Sequence, residues 1–265
     1  MSNFLPDSIK TLLEGLVAAG CSFSLFGDAE SFPGGKHYIK HDIHGDVSIS
    51  LRIAKLEKDM GIKATYFCLH QHPLMQSIYD KPETWEMLRD IQLLGHEVAL
   101  HVDPFILIQQ YGNVNVGVTR ELVKFYSEHI AIRGANCHGN TSFSKSLNFN
   151  PRMFFSEFVP PAEQGVLFGA GMTLWEQDKT HLCTDAGWNQ HYGKACVKDM
   201  GFEYWSDASV WFPKAGQKTC DIYFSDNYGD FGANKTQEDV DTIVAKVKSG
   251  SCLYLLHPQF YLVQA

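Results

Sequence analysis

The chain has 265 residues, 45% hydrophobic and 20% charged, which is enough for one sizeable domain with a core. Its 22 Gly and 10 Pro follow no repeat, which excludes collagen-like and low-complexity proteins. The formal net charge of −8 repels phosphate backbones, so we predict no nucleic-acid partner.

The cysteines and the first twenty residues indicate a cytoplasmic protein. Seven Cys are scattered and form no Cys-x-x-Cys pair, which is typical of reduced thiols rather than of a disulfide framework. Asp7, Lys10 and Glu14 interrupt the apolar positions of residues 1–20, so we expect no signal core there. No run of eighteen apolar residues occurs, and we predict no transmembrane helix.

Strand and helix patterns alternate along the chain. Apolar spacing predicts an N-terminal helix over residues 7–19, ended by Gly20. The later predicted helices cover 47–60, a segment opened by Pro82, a segment capped by Thr119, and 237–248. The predicted strands are 37–43, 62–68, 96–101, 132–137, 202–206, 220–224 and 252–256. Residues 141–200 lack a regular pattern and are predicted to form a loop-rich insertion.

This alternation predicts an α/β fold with a parallel sheet covered by helices. At this length a barrel is favoured over an open sheet, and no glycine-rich dinucleotide fingerprint is present. We predict a single catalytic domain over residues 1–265. In such barrels the active residues follow the carboxyl ends of the strands.

Polar residues do collect at these predicted strand ends. Asp42 and His44 are two residues apart and therefore share a face of the first predicted strand. Other readings stay open: Asp42 could cap the following helix, although Asp46 is closer, and His101 could be a hydrogen-bonded structural histidine. The candidates are Asp42, His44, His101, His138, Asp207 and His257.

Six segments in order carry a resemblance to a known family. They are KHDIH at 40–44, GIKATYF at 61–67, LGHEVALH at 94–101, CHGN at 137–140, YWSD at 204–207 and LLHPQF at 255–260. Together they resemble the polysaccharide deacetylase superfamily (carbohydrate esterase type), in its intracellular deacetylase-like branch, from about residue 37 to 262.

The resemblance implies a distorted (β/α) barrel of about seven parallel strands that hydrolyses an acyl group on a sugar. It implies a divalent metal, with Asp42 as the general base and His257 as the general acid. Asp207 is expected to orient His257, although a turn-capping role is equally open. A metal-activated water with a carboxylate and an imidazole is a workable hydrolytic set on chemical grounds alone.

Two positions depart from the family pattern. His44 stands where a second carboxylate is usual, and Phe105 stands where a second histidine follows His101. We therefore predict His44, His101 and His138 as the metal ligands, with Asp103 competing for the third place. Three neutral imidazoles suit Zn²⁺.

The resemblance also implies an Arg near Asp42. Arg133 and Arg152 are the nearest candidates, but neither lies in a recognisable pattern.

The substrate is predicted less directly. Asn136 and Asn140 offer amides for sugar hydroxyls, and Trp205 offers a ring face, although core filling is the commoner use of Trp. The predicted reaction removes an N-acetyl or N-formyl group from a sugar of a surface-polysaccharide or lipopolysaccharide O-antigen precursor that is nucleotide- or lipid-linked. The alternatives are hydrolysis of small cyclic amides on the same fold, or an inactive sugar-binding relative.

Overall fold

The computed structural model describes residues 7–28, 36–69, 81–102, 116–137, 201–207, 210–213, 218–219, 222–225, 237–247 and 251–258. The strands are β1 (Ser22–Phe23), β2 (Lys36–Ile43), β3 (Ala64–Leu69), β4 (Glu97–Val102), β5 (Gly134–Cys137), β6 (Tyr204–Asp207), β7 (Val210–Pro213), β8 (Lys218–Thr219), β9 (Ile222–Ser225) and β10 (Cys252–Leu256). The helices are α1 (Asp7–Ala18), α2 (Val47–Asp59), α3 (Pro82–Leu93), α4 (Val116–Ser127) and α5 (Gln237–Val247).

The strands of these ranges form one sheet in the order β8-β7-β6-β5-β4-β3-β2-β10-β9, and β1 pairs with β2. Along the sheet from β6 through β5, β4, β3, β2 and β10 to β9, each strand is parallel to its neighbour. These are seven consecutive parallel strands. The predicted α/β fold with a parallel sheet is thus confirmed. Within the described ranges no pairing joins β8 to β9, so closure into a barrel stays a prediction.

The sheet is strongly curved. The ring of Phe26 has its centroid 5.6 Å from that of Tyr38 on β2 and 6.1 Å from that of Tyr204 on β6. In a flat sheet these two strands, four spacings apart, would be separated by about 19 Å. One phenyl ring can touch both only because the sheet bends around it. The resulting concave core consists of Phe26, Tyr38, Phe67, Ala99, Tyr204 and Leu253.

The helices cover the convex face. Their inward residues form one core with alternate strand residues such as Ile39, Ile43 and Leu100. The helix residues in this core include Leu16, Ala54, Leu88, Ile91, Leu122, Tyr126, Ile243 and Val247. Burying each large aliphatic side chain contributes about 1.5–3 kcal/mol, and this anchors the strands that carry the site.

Strand alternation then decides which polar residues face inward. On β2, Tyr38 lies in the concave core while Ile39 and Ile43 lie in the convex core. Lys40 and Asp42 alternate with the convex residues and therefore belong to the concave face. The same rule places His101 of β4 on the concave side, two residues after Ala99.

One prediction about a helix is wrong, and two short strands were not predicted. Helix α4 begins at Val116, so Thr119 lies inside the helix and is not its cap. The antiparallel strands β7 and β8 were not predicted, because four and two residues show too little alternation. In contrast, Asp46 is the cap of α2, and its carboxylate accepts from the Ser48 N–H at 2.9 Å.

The predicted insertion at 141–200 lies outside the described residues. Within the described ranges, no helix has both the length and the apolar character that a membrane span needs.

Candidate metal and active site

The candidate site lies at the carboxyl ends of neighbouring parallel strands. Asp42 lies near the end of β2, His101 near the end of β4, and Asn136 near the end of β5. His101 and Asn136 are register partners. We call the group Asp42, His44, His101, Asn136 and His257 the inner cluster.

A chain of side-chain hydrogen bonds links three strands. The Asn136 amide Nδ2–H donates to Asp42 Oδ1 at 2.9 Å, and Asn136 Oδ1 lies 2.7 Å from His101 Nδ1. Asn136 is fully buried, and His101 and Asp42 are almost fully buried. Because β2 and β5 are three positions apart in the sheet, this link depends on the curvature described above.

Three histidine rings meet at this edge. His44 and His101 stack with their planes 7° apart, and their Nε2 atoms are 2.9 Å from each other. The ring centroid of His257, which directly follows β10, lies 5.1 Å from that of His44. The convergence therefore includes residues from both halves of the sequence.

Lys40 supplies a buried positive charge beside Asp42. Its Nζ lies 3.9 Å from Asp42 Oδ2, and both side chains are almost fully buried. Burial alone would raise the pKa of Asp42, but its electrostatic interactions with His101, Lys40, His257 and His44 outweigh burial and hold the pKa well below its usual range. Asp42 is accordingly an ionised carboxylate.

The arrangement of Asp42, His44 and His101 suits a metal ion. One ligand atom from each lies within 4.8 Å of the other two. Metal–ligand bonds of about 2.0–2.2 Å bring adjacent ligand atoms to roughly 3 Å apart, close to the 2.9 Å between the two Nε2 atoms. A carboxylate with two imidazoles is also a donor set that divalent cations accept. These three residues could hold a divalent cation.

The structure brings together five of the predicted site residues: Asp42, His44, His101, Asn136 and His257. The group of possible ligands contains Asp42, which the sequence analysis assigned to proton transfer. His138, Asn140 and Asp103 lie outside the described residues. For Trp205 and Asp207 only the backbone of β6 is described, and their roles stay predictions.

Two features of the site were not predicted. Lys40 was missed, although its spacing of two from Asp42 puts both on one face of the strand. The contacts of the Asn136 amide with Asp42 and His101 were not predicted either, and its predicted contact with the sugar stays a prediction. Arg133, a candidate for the Arg that the resemblance implies near Asp42, forms ion pairs with Asp28 at 2.8 Å and with Glu203 at 3.2 Å.

Other histidines lie on the convex face. His96 Nε2 lies 2.9 Å from the Ala54 carbonyl, and its Nδ1 accepts from the Ala64 N–H at 3.2 Å. His41 Nε2 lies 2.8 Å from Glu57 Oε1, while the Tyr66 hydroxyl donates to Glu57 Oε2 at 2.6 Å. We call the buried group His41, Glu57, Tyr66 and His96 the outer cluster.

Comparisons with known proteins are sparse. A scan against protein-family models finds no match, and a search of curated proteins finds none either. Among solved structures, the chain is similar to a mutant of a CE4 family pseudoenzyme with restored enzymatic activity, with 10% sequence identity and a TM-score of 0.40. The likeness covers 86% of this chain, which spans only 57% of the length of the other.

Proposed function

We propose that the protein is a metal-dependent hydrolase that removes an N-acetyl or N-formyl group from a sugar. The observation that carries this proposal is the convergence of Asp42, His44 and His101 at the carboxyl edge of a parallel sheet, with His257 beside them. Parallel α/β enzymes place their reacting groups at this edge.

In this proposal His44 and His101 bind a divalent cation, most simply Zn²⁺, and His138 or Asp103 completes the ligand set. The cation would polarise the acyl oxygen and lower the pKa of a bound water. Asp42 Oδ1 accepts a hydrogen bond from Asn136, and the other carboxylate oxygen, Oδ2, lies 3.8 Å from His101 Nε2. Asp42 Oδ2 would then accept the proton of the attacking water.

His257 would complete the reaction as general acid. Breaking the C–N bond requires a proton on the departing amine, and an imidazole can supply it near neutral pH. His257 is buried next to His44, so its proton would be protected from bulk water. Asp207 remains the proposed partner that orients this ring.

For the substrate we propose an amino sugar in a nucleotide- or lipid-linked precursor of a surface polysaccharide, such as the lipopolysaccharide O-antigen. The predicted cytoplasmic location supports a precursor rather than a finished polymer. Asn140 and Trp205 are the proposed sugar contacts. The departure at His44 keeps an inactive sugar-binding relative as an outcome of the test.

The direct test incubates the protein and a divalent metal with N-acetylated and N-formylated amino sugars, free and nucleotide-linked, and measures the free amine released. We expect turnover by the wild type and a rate about 10³-fold lower for Asp42→Asn. Asp46→Asn is the matched control, because it makes the same charge change at a helix cap that Asn also satisfies.

The other outcomes are equally informative. An Asp42→Asn variant as active as the wild type would refute the proposed site. Turnover of small cyclic amides with indifference to sugars would assign the alternative hydrolase, and sugar binding without turnover would assign the inactive relative.

A further inference from the structure

We propose that Asn136 is a positioning residue that holds the ring of His101 with a bare Nε2 facing the candidate metal position. The inference rests on the proposed function, since it gives this contact a purpose in cation binding. The fully buried amide of Asn136 forms hydrogen bonds to both Asp42 and His101 and so bridges them.

The chemistry of the neighbours fixes which way the amide points. The amide Nδ2–H of Asn136 donates to Asp42 Oδ1 at 2.9 Å, so the NH₂ group of Asn136 faces Asp42. The carbonyl oxygen of Asn136 is therefore the atom that faces His101 Nδ1, 2.7 Å away. That oxygen can only accept, so His101 Nδ1 carries the proton.

A neutral imidazole with a proton on Nδ1 has its lone pair on Nε2. His101 Nε2 is the atom that lies 2.9 Å from His44 Nε2 and 3.8 Å from Asp42 Oδ2. The opposite tautomer would put a proton where the cation is proposed to bind. Removing a residue that hydrogen-bonds a metal-binding imidazole in this way typically weakens metal binding 10–100-fold.

Only a side chain with both a donor and an acceptor can make this bridge. Asp at this position would keep the acceptor for His101 but would face Asp42 with a second acceptor. Leu has almost the same shape and provides neither group. The pair Asn136→Asp and Asn136→Leu therefore separates the contact to His101 from the contact to Asp42.

The first measurement is the ¹⁵N NMR tautomer state of His101 in the metal-free protein at mildly alkaline pH. We expect the Nδ1–H form in the wild type and in Asn136→Asp, and loss of its dominance in Asn136→Leu. If Asn136→Leu keeps the Nδ1–H form, or if Asn136→Asp loses it, the proposal is overturned.

The second measurement is the affinity for Zn²⁺ or Co²⁺ by competition with a chromophoric chelator. We expect Asn136→Leu to bind about 10–100-fold more weakly than the wild type. Unchanged affinity would overturn the proposal, even if the variant unfolds more easily.

Thr65→Val is the matched control. Thr65 is also buried on the concave face, where its hydroxyl donates to Glu97 at 3.0 Å and accepts from the Phe26 N–H at 3.2 Å. Its loss should lower stability without changing the His101 tautomer or the metal affinity. If it changes them to the same extent as Asn136→Leu, Asn136 has only a structural role.

Both measurements use no sugar, so they separate this inference from the proposed function. A normal tautomer and metal affinity in a protein that deacylates nothing would leave Asn136 as a positioning residue and refute the deacylase.

Discussion

The inner and outer clusters each include one histidine on or just after β2 and one on or just before β4, yet their ring nitrogens are used differently. In the outer cluster, His96 uses both nitrogens on the protein backbone, and His41 contacts Glu57. In the inner cluster, the Nε2 atoms of His44 and His101 face each other at 2.9 Å. Two ring nitrogens at that distance require a proton or a cation between them. A buried histidine pair therefore indicates a site only when its lone pairs converge.

The two clusters also differ in the charge state of their buried titratable groups. Burial lowers the pKa of His96, and the Ala64 N–H already occupies its Nδ1, so the neutral ring is the stable form. Asp42 in the inner cluster is instead held ionised, because its interactions with His101 and Lys40 outweigh the effect of burial. The outer cluster is consistent with packing, and the inner cluster with binding a positive ligand.

The largest expected effect is the loss of catalysis when a histidine of the inner cluster is replaced. We expect His257→Ala to lower the rate of N-acyl hydrolysis about 10³-fold, because the leaving amine then lacks its proton donor. An acetyl ester with a weakly basic phenolate leaving group needs no such donor, and its hydrolysis should fall far less. Rates for both substrates are the measurement.

His129→Ala is the control for this variant, since His129 stacks on Trp85 among the helices. Equal losses on the two substrates would contradict the role of His257 as general acid.

A second expected effect concerns Lys40. Lys40→Met keeps the apolar stem but leaves the buried Asp42 carboxylate without its ammonium partner, which should cost the metal-free protein about 3 kcal/mol. A bound divalent cation would restore positive charge, so metal should raise the Tm of this variant more than that of the wild type. Thermal unfolding with and without metal measures both.

The exposed pair Lys10 and Glu14 provides the comparison. Lys10→Met should change stability by less than about 1 kcal/mol. If Lys40→Met were as stable as Lys10→Met and gained no extra Tm from metal, the buried charge pair would have no such role.

The smallest expected effect concerns the outer cluster. The pKa of His96 lies below its ordinary value of 6.5 in the folded protein, so below about pH 6.5 the unfolded chain binds more protons. The free energy of unfolding should therefore decrease as the pH is lowered, by at most about 1.4 kcal/mol per pH unit from this residue. His96→Gln keeps a donor and an acceptor but does not titrate, so its stability should decline less between about pH 7 and pH 5.

Urea unfolding at several pH values measures this slope. An identical slope in the wild type and in His96→Gln would contradict the assignment of a neutral, structural ring.

The sequence predicted what local periodicity and strand polarity determine. Alternation put Asp42 and His44 on one face, and the rule for parallel strands brought His101 and His257 to the same edge. The contact of Asn136 with Asp42 could not be predicted, because it crosses three strand positions and exists only in a curved sheet. Composition likewise could not separate the histidines of the two faces, since both groups lie in strands or next to them.

The most direct test of the account is the binding of Zn²⁺ or Co²⁺ to chelator-treated protein by titration calorimetry. The account predicts one ion per chain for the wild type and for His96→Gln, and loss of that binding in His101→Ala. A wild-type chain that takes up no divalent cation, or a His101→Ala variant that binds as tightly as the wild type, would contradict it.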